Sequence, residues 1–289
     1  MTATGIEGRS PTELAFRRFR KNRRAILSFW IMAALGLATV IVPLVSPHDY
    51  RAQTLEIQKQ PPSGSYWMGT DPNGRDLMVR SFMGGRISFA VGLLATAVSL
   101  VIGVAYGASS GFLGGKVDAL MMRFVDVLYG LPHMFLVIIV MSILGRNFLV
   151  VFMVLGCFSW MTMSRIVRGQ VLSLKEKEFV EAARCLGVGT PAIIVRHMLP
   201  NILGPVIVYA TLTVPSVMLQ EAFLSFLGLG ISEPKTSWGL LISDGAGALN
   251  PIRVYWWLVV FPGALLAITL FCLNAVGDGL RDAFDVQQR

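Results

Sequence analysis

Apolar residues along this chain gather in long runs, at residues 25–45, 87–106, 119–144, 148–163, 202–227 and 254–276, with few charges inside them. A helix rising 1.5 Å per residue crosses the hydrocarbon core of a bilayer in about 20 apolar residues. The pattern therefore predicts an all-α membrane protein with six transmembrane helices. Between the runs lie polar stretches at 46–86, 164–200 and 228–253, and two tight turns at Gly111-Phe112-Leu113-Gly114-Gly115-Lys116 and Gly145-Arg146-Asn147. No repeat of 20 to 50 residues is evident, so solenoid architectures are not indicated.

Composition sharpens this picture. Hydrophobic residues make up 54% of the 289 positions and charged ones 15%, and mean hydropathy is +0.63. That balance lies outside the range of soluble globular domains and leaves no room for a large one. The formal charge of +8 matters less than where it sits. Residues 1–24 carry Arg9, Arg17, Arg18, Arg20, Lys21, Arg23 and Arg24 against Glu7 and Glu13, which makes them a basic cytoplasmic segment before a transmembrane domain at 25–289. A nucleic-acid arm would need aromatic interleaving and an attached folded domain, and neither is present. The first run is too long for a signal-peptide core and lacks a small-residue cleavage site, so it reads as a retained anchor. The stretch 164–200 holds six basic and three acidic residues and is expected inside; 46–86 is nearly neutral, 228–253 is neutral, and both are expected outside. Both termini are then cytoplasmic.

Within the runs, Pro132 removes a backbone donor and is expected to kink the third helix, either to face a cavity or with neighbouring helices absorbing the freed carbonyl. Gly103 and Gly107 form a small-xxx-small pair that marks close helix packing. Glu221 is an ionisable residue within the fifth run, and two readings stand: a residue lining a pathway, or a side chain bonded to backbone or to the neighbouring outer loop. Cys157, Cys185 and Cys272 lack metal or redox spacing and read as small core residues, while His48, His133 and His197 are dispersed, so no metal site is expected.

The inner stretch carries the strongest local signal. Residues 175–186 favour helix and place Phe179, Ala182, Ala183 and Leu186 along one face, and Gly187 stands where a helix stops. Thr190-Pro191 supplies an N-cap and first-turn proline for a second short helix at 192–199 that is expected to end at Pro200. Two short helices joined by a bend, framed by Glu181, Arg184 and Arg196, suit docking into a soluble partner's groove or lying on lipid headgroups.

Glu181-Ala182-Ala183, three residues, Gly187 and then Leu199-Pro200 resembles the EAA loop of the membrane subunits of bacterial ATP-binding cassette importers. His197 stands where that family usually has Ile, a variant of its peptide-importing branch. Three further segments agree with that branch: Met68-Gly69-Thr70-Asp71-Pro72-Asn73-Gly74-Arg75-Asp76, Leu224-Ser225-Phe226-Leu227-Gly228-Leu229-Gly230, and Gly277-Asp278-Gly279-Leu280-Arg281-Asp282. The resemblance covers nearly the whole chain and is nearest to the second, C-type permease of dipeptide and oligopeptide importers, with nickel, glutathione or haem-like cargo as alternatives. It implies a type I importer transmembrane domain in the bacterial inner membrane that alternates access. It further implies a coupling site at Glu181, Ala182, Ala183, Arg184, Gly187, His197, Leu199 and Pro200. The outer-loop family motif is Gly69, Asp71, Gly74, Arg75 and Asp76, and the pathway or gate candidates are Glu221 and Pro132.

The implied partners are a second homologous permease, two ATPase subunits holding ATP and Mg, an external substrate-binding protein and the bilayer; no nucleic acid is expected. The chain itself should be non-catalytic and bind no cofactor. Its nearest approach to a phosphate-cradling loop, Gly114-Gly115-Lys116-Val117, lacks the required spacing, and no nucleophile elbow or His-Glu-x-x-His pair is present. An ion-driven secondary transporter would be expected to show paired intramembrane charges or broken helices in corresponding halves, which the sequence does not clearly offer.

Overall fold

A computed structural model describes residues 11–145, 147–250 and 252–284. Glu7 and Arg9 of the basic segment and Arg146 of the short turn lie outside them. The described residues form an all-helical bundle. Helix α1 (Pro11–Lys21) is followed by α2 (Arg23–Val45), whose first turn is capped by the Asn22 side chain accepting from the Ala25 amide at 3.2 Å. Helix α3 (Leu77–Leu113) crosses next, then α4 (Gly115–Gly130) and α5 (His133–Leu144). Helix α6 (Phe148–Lys175) leads to the short α7 (Glu178–Cys185). A single rod from Thr190 to Phe226 then holds α8 (Thr190–Ile193), a π turn (Ile194–Met198) and α9 (Leu199–Phe226). Helices α10 (Trp238–Gly247) and α11 (Trp257–Phe284) complete the bundle.

Five of these helices are long and apolar enough to cross a membrane, and α4 with α5 makes a sixth, bent by 81°. The kink expected at Pro132 is thus a full break, because Leu131 is extended before the proline and Pro132 itself takes the capping position. The crossings place the start of α2, the α3–α4 turn, α7 and the end of α11 at one end of the bundle, called here the basic end. The 46–76 and 227–256 segments gather at the other.

Several boundaries differ from the sequence expectation for identifiable reasons. Helix α3 starts ten residues before 87, since Asp76 caps it by accepting from Met78 and Val79 at 2.8 and 3.3 Å and Arg80 is neutralised by Asp71. Helix α6 runs on to Lys175, carrying Arg165 and Arg168 on ion pairs to α4. Gly189, not Thr190, is the residue before the rod. Pro200 does not end a helix: it lies in the first turn of α9, and the preceding π turn, closed by the Leu199 amide on the Ile194 carbonyl, takes up the missing bond. The 228–253 stretch contains α10, whose Trp238 is fully enclosed and donates from its ring nitrogen to the Ser81 carbonyl at 2.7 Å.

Helices α3 and α6 make the most extensive contact in the bundle. Gly103, Gly107 and Gly111 recur every four residues and so line one face of α3. A methyl group at Gly107 would lie 2.2 Å from the Ser164 carbonyl oxygen, and one at Gly103 would lie 2.6 Å from the Met163 side chain. Backbones approach closely enough for Gly156 on α6 to meet the Ala95 carbonyl in the same way. Large apolar side chains such as Trp30, Val101, Ile143 and Phe271 remain exposed on the bundle's flanks, as lipid contact requires. Among the cysteines only Cys272 is buried, so the core placement expected for Cys157 and Cys185 does not hold.

Gly107→Val should therefore force α6 off α3 and lower stability by about 2 kcal/mol or more. Gly169→Ala on the open face of α6, where nothing lies within 4 Å, should stay within about 1 kcal/mol of wild type or gain stability. Thermal melting of the two purified variants in one detergent checks the contrast.

Candidate functional site

Three regions could bear on function. At the basic end, α7 is short but held firmly. Glu178 and Glu181 sit in its first turn, where the helix dipole favours acid. Its last turn closes with the Val188 amide on the Ala183 carbonyl at 3.1 Å and the Gly187 amide on the Arg184 carbonyl at 2.9 Å. This double bond pattern demands a left-handed residue, and Gly187 has φ +77°. Val180 and Ala183, three apart, form the inward stripe and join the core with Ile193 and Met198. Phe179, Glu181, Ala182 and Leu186 face outward, Leu186 at 83% exposed. Of the four residues expected along one apolar face, Ala183 is thus a packing residue and the other three stay exposed.

The helix is braced against the bundle by charge. The Arg184 guanidinium lies 5.0 Å above the Phe112 ring at the end of α3, and the Lys175 ammonium lies 5.8 Å from the same ring. Arg168 donates to both oxygens of Asp118, at 2.6 and 2.5 Å, tying α6 to α4 just behind. His197 lies in the π turn and its carbonyl accepts from the Asn201 side chain at 2.6 Å. Leu199 packs against the core, and Pro200 is exposed.

A groove of 310 Å³ runs between α4, α5, α6 and α9. Tyr129, His133, Ser159, Thr162, Tyr209, Thr213, Ser216 and Gln220 supply its polar atoms, and among the described residues no carboxylate, guanidinium or ammonium lines it. Pro132 does not line it, although Leu131 and His133 on either side do. At its edge Arg165 is paired with Asp126 at 2.6 Å and lies 4.1 Å above the Tyr129 ring. Glu221 is absent from the lining and is 1% exposed. The sequence reading missed the groove's hydroxyls, although Tyr209, Thr213, Ser216 and Gln220 recur at helical spacing along α9 and would have marked a polar stripe.

At the opposite end the motif residues form a staple. Asp71 accepts from the Arg75 Nε and an Arg80 terminal nitrogen, both at 2.7 Å, and from the amides of Asn73 and Arg75, both at 2.8 Å. Arg75 also donates to Glu233 at 2.8 Å, fastening the 46–76 segment to the 227–256 segment. Asp76 takes His48 Nδ1 at 2.7 Å while capping α3. Gly74 has φ +73°, and a methyl group there would collide with the Thr54 carbonyl. Gly69 is crowded by the Gln60 carbonyl and Trp257. Asp244 on α10 is pushed up from 3.8 to about 6, first by burial and then by Glu233 and Asp71, with Arg75 opposing.

A bundle with lipid-facing flanks, a polar groove and a braced helix at one end defines a membrane-spanning transport component. The comparisons make this specific. Residues 99–289 match the family described as binding-protein-dependent transport system inner membrane component, and residues 10–62 match the N-terminal transmembrane domain of oligopeptide transport permease C. The chain is 50% identical over 287 residues to the oligopeptide transport system permease protein OppC of Escherichia coli K12, covering 98% of this chain and 94% of that one. It is 47% identical to OppC of Haemophilus influenzae, covering 98% and 91%. It is 42% identical to the dipeptide transport system permease protein DppC of Bacillus subtilis, covering 97% and 87%. A solved structure of the MetNI methionine ABC transporter, in an inward-facing conformation, shares the fold at TM-score 0.55 and 17% identity, over 68% of this chain and 93% of that one. The chain belongs to the family of binding-protein-dependent transport system inner membrane components, and it is a multi-pass protein of the inner membrane.

The raised value of Asp244 has a pH consequence. Between about 4 and 6 the folded chain binds more proton than the unfolded chain, so this group's contribution falls as pH rises through that window and is flat above it. Melting temperature should therefore drop between pH 5 and pH 7.5, and Asp244→Asn should shrink that drop. A drop of unchanged size in Asp244→Asn would exclude this group as its source.

Proposed function

We propose that the chain is the permease subunit of an ATP-driven importer of short peptides. The observation that carries this reading is the 47–50% identity to OppC proteins across 98% of the chain. On this reading the chain pairs with a second, similar permease, two ATPase subunits that hold ATP and Mg, and an external binding protein that delivers substrate. It binds no cofactor itself.

The basic end faces the cytoplasm, in keeping with the charges of α1 and of 164–200. Residues 46–76 and 227–256 face outward, where the binding protein docks. Helix α7 is the coupling helix, presenting Glu181, Ala182 and Leu186 to a cleft in the ATPase. Ala183 and Gly187 fix its seat and bend, Arg184 braces it on Phe112, and His197, Leu199 and Pro200 form the joint to α9. A lever of this kind needs stiffness, and the paired closing bonds and ring contacts supply it.

The groove, lined without carboxylate, guanidinium or ammonium among the described residues, contributes one wall of the path. A peptide offers amide groups at every residue whatever its side chains, and tyrosine, serine, threonine and glutamine groups can exchange hydrogen bonds with those amides. A fixed charge would instead trap peptides of opposite sign.

Gly187→Pro removes the closing amide and cannot adopt φ +77°. It should reduce peptide uptake by about tenfold or more while the two permeases still copurify. Glu181→Lys should release the ATPase from the detergent-purified assembly. Wild-type uptake in both variants would remove α7 as the coupling element, and uptake by the purified chain alone driven by an ion gradient would replace the importer reading.

A further inference from the structure

Glu221 does no work in the groove, yet an enclosed carboxyl group within a membrane-spanning helix carries a cost that packing alone would not retain. Its surroundings indicate its use. Ser225, one turn further along α9, donates to it at 2.7 Å, and Ser88 of α3 reaches it at 3.5 Å. Ser237, the capping residue of α10, lies 3.4 Å from the Ser225 hydroxyl and within bonding reach of the carboxyl. Ser88 also accepts from the Trp238 backbone amide at 3.2 Å. Three hydroxyls from three elements thus converge on one acceptor.

That convergence suits a carboxyl group and few other side chains, because its two oxygens offer about four acceptor positions. An apolar residue of the same size would leave buried hydroxyls without partners. The contact around it is equally close: a methyl group at Gly239 of α10 would lie 2.4 Å from the Ala222 Cα, and one at Gly230 would lie 2.1 Å from the Ser225 hydroxyl. Trp238 is itself enclosed against α3 at Gly85.

The rod that bears Glu221 begins at Thr190, three residues after Gly187, and runs unbroken to Phe226. We propose that Glu221 is a positioning residue that locks α10 to the far end of this rod, so that displacement applied at α7 is delivered to the opposite end as a joint movement of α9 and α10. The inference rests on the permease reading given above.

The test uses the complete importer in nanodiscs, with the exposed native thiols removed by Cys157→Ser and Cys185→Ser. Spin labels are placed at Leu219→Cys on α9 and Gly247→Cys on α10, both exposed positions. With Glu221 present, the label separation should be narrow and the same with and without ATP. Glu221→Leu should broaden or shift it when ATP is added and lower uptake by about tenfold, with Glu221→Gln between the two. Glu221→Gln alone carries the comparison if the leucine variant does not assemble. Uptake lost with the label separation unchanged would overturn the proposal, as would uptake retained in Glu221→Leu. Absence of ATP-dependent uptake in the assembly carrying Glu221 would instead overturn the permease reading.

Discussion

Close approach of α3 and α6 is the constraint on which the rest of the bundle depends. With Gly107 resting on the Ser164 carbonyl and Gly103 on the Met163 side chain, these two helices form a closely packed wall. A membrane offers no hydrophobic drive between helices, so the wall is held by packing and by the polar groups it brings together. Everything else leans on it. Helix α4 is tied to α6 through Asp118 and Asp126, α5 packs against α6, α9 packs against both α3 and α6, and α7 is braced on the last turn of α3 through Phe112.

The two ends of the bundle are built by different means. At the basic end, cations meet an aromatic ring and two carboxylates, and the exposed face of α7 stays free. At the opposite end, Asp71 gathers two arginines and two amides into a nearly solvent-free knot, with Glu233 closing it from the other segment. Two oxygens facing that many donors satisfy the enclosed Asp71 carboxylate. Loops pinned in this way present a fixed surface, whereas the basic end presents a short helix braced on an aromatic ring.

Much of this was legible from the chain alone because the dominant forces act locally. Apolar runs give spans, small residues at every fourth position give close packing, and Gly187 gives a left-handed stop to α7. The boundaries were hidden wherever a charge is paired with a distant partner. Arg80 and Arg86 made the first turns of α3 look like loop, and Arg165 and Arg168 did the same for the last turns of α6, although partners on other elements neutralise three of these four. Pro200 read as a stop because a proline's missing bond is visible in sequence while the π turn that absorbs it is not. Glu221 stood out as unusual, but its three serine partners lie at 88, 225 and 237, and two of them are separated from it by whole elements or by the turn into α10. The groove's neutral polar residues were present at helical spacing and escaped notice because no single one of them is exceptional.

The π turn at Ile194–Met198 also fixes an azimuth. Each residue of an α-helix advances the chain by about 100°, and a π turn accommodates one residue that an α-helix would have rotated onward. Removing it would swing Tyr209, Thr213, Ser216 and Gln220 out of the groove together and bring a lipid-facing strip in their place. Five residues near the start of a 37-residue rod thereby decide which of its sides faces the groove.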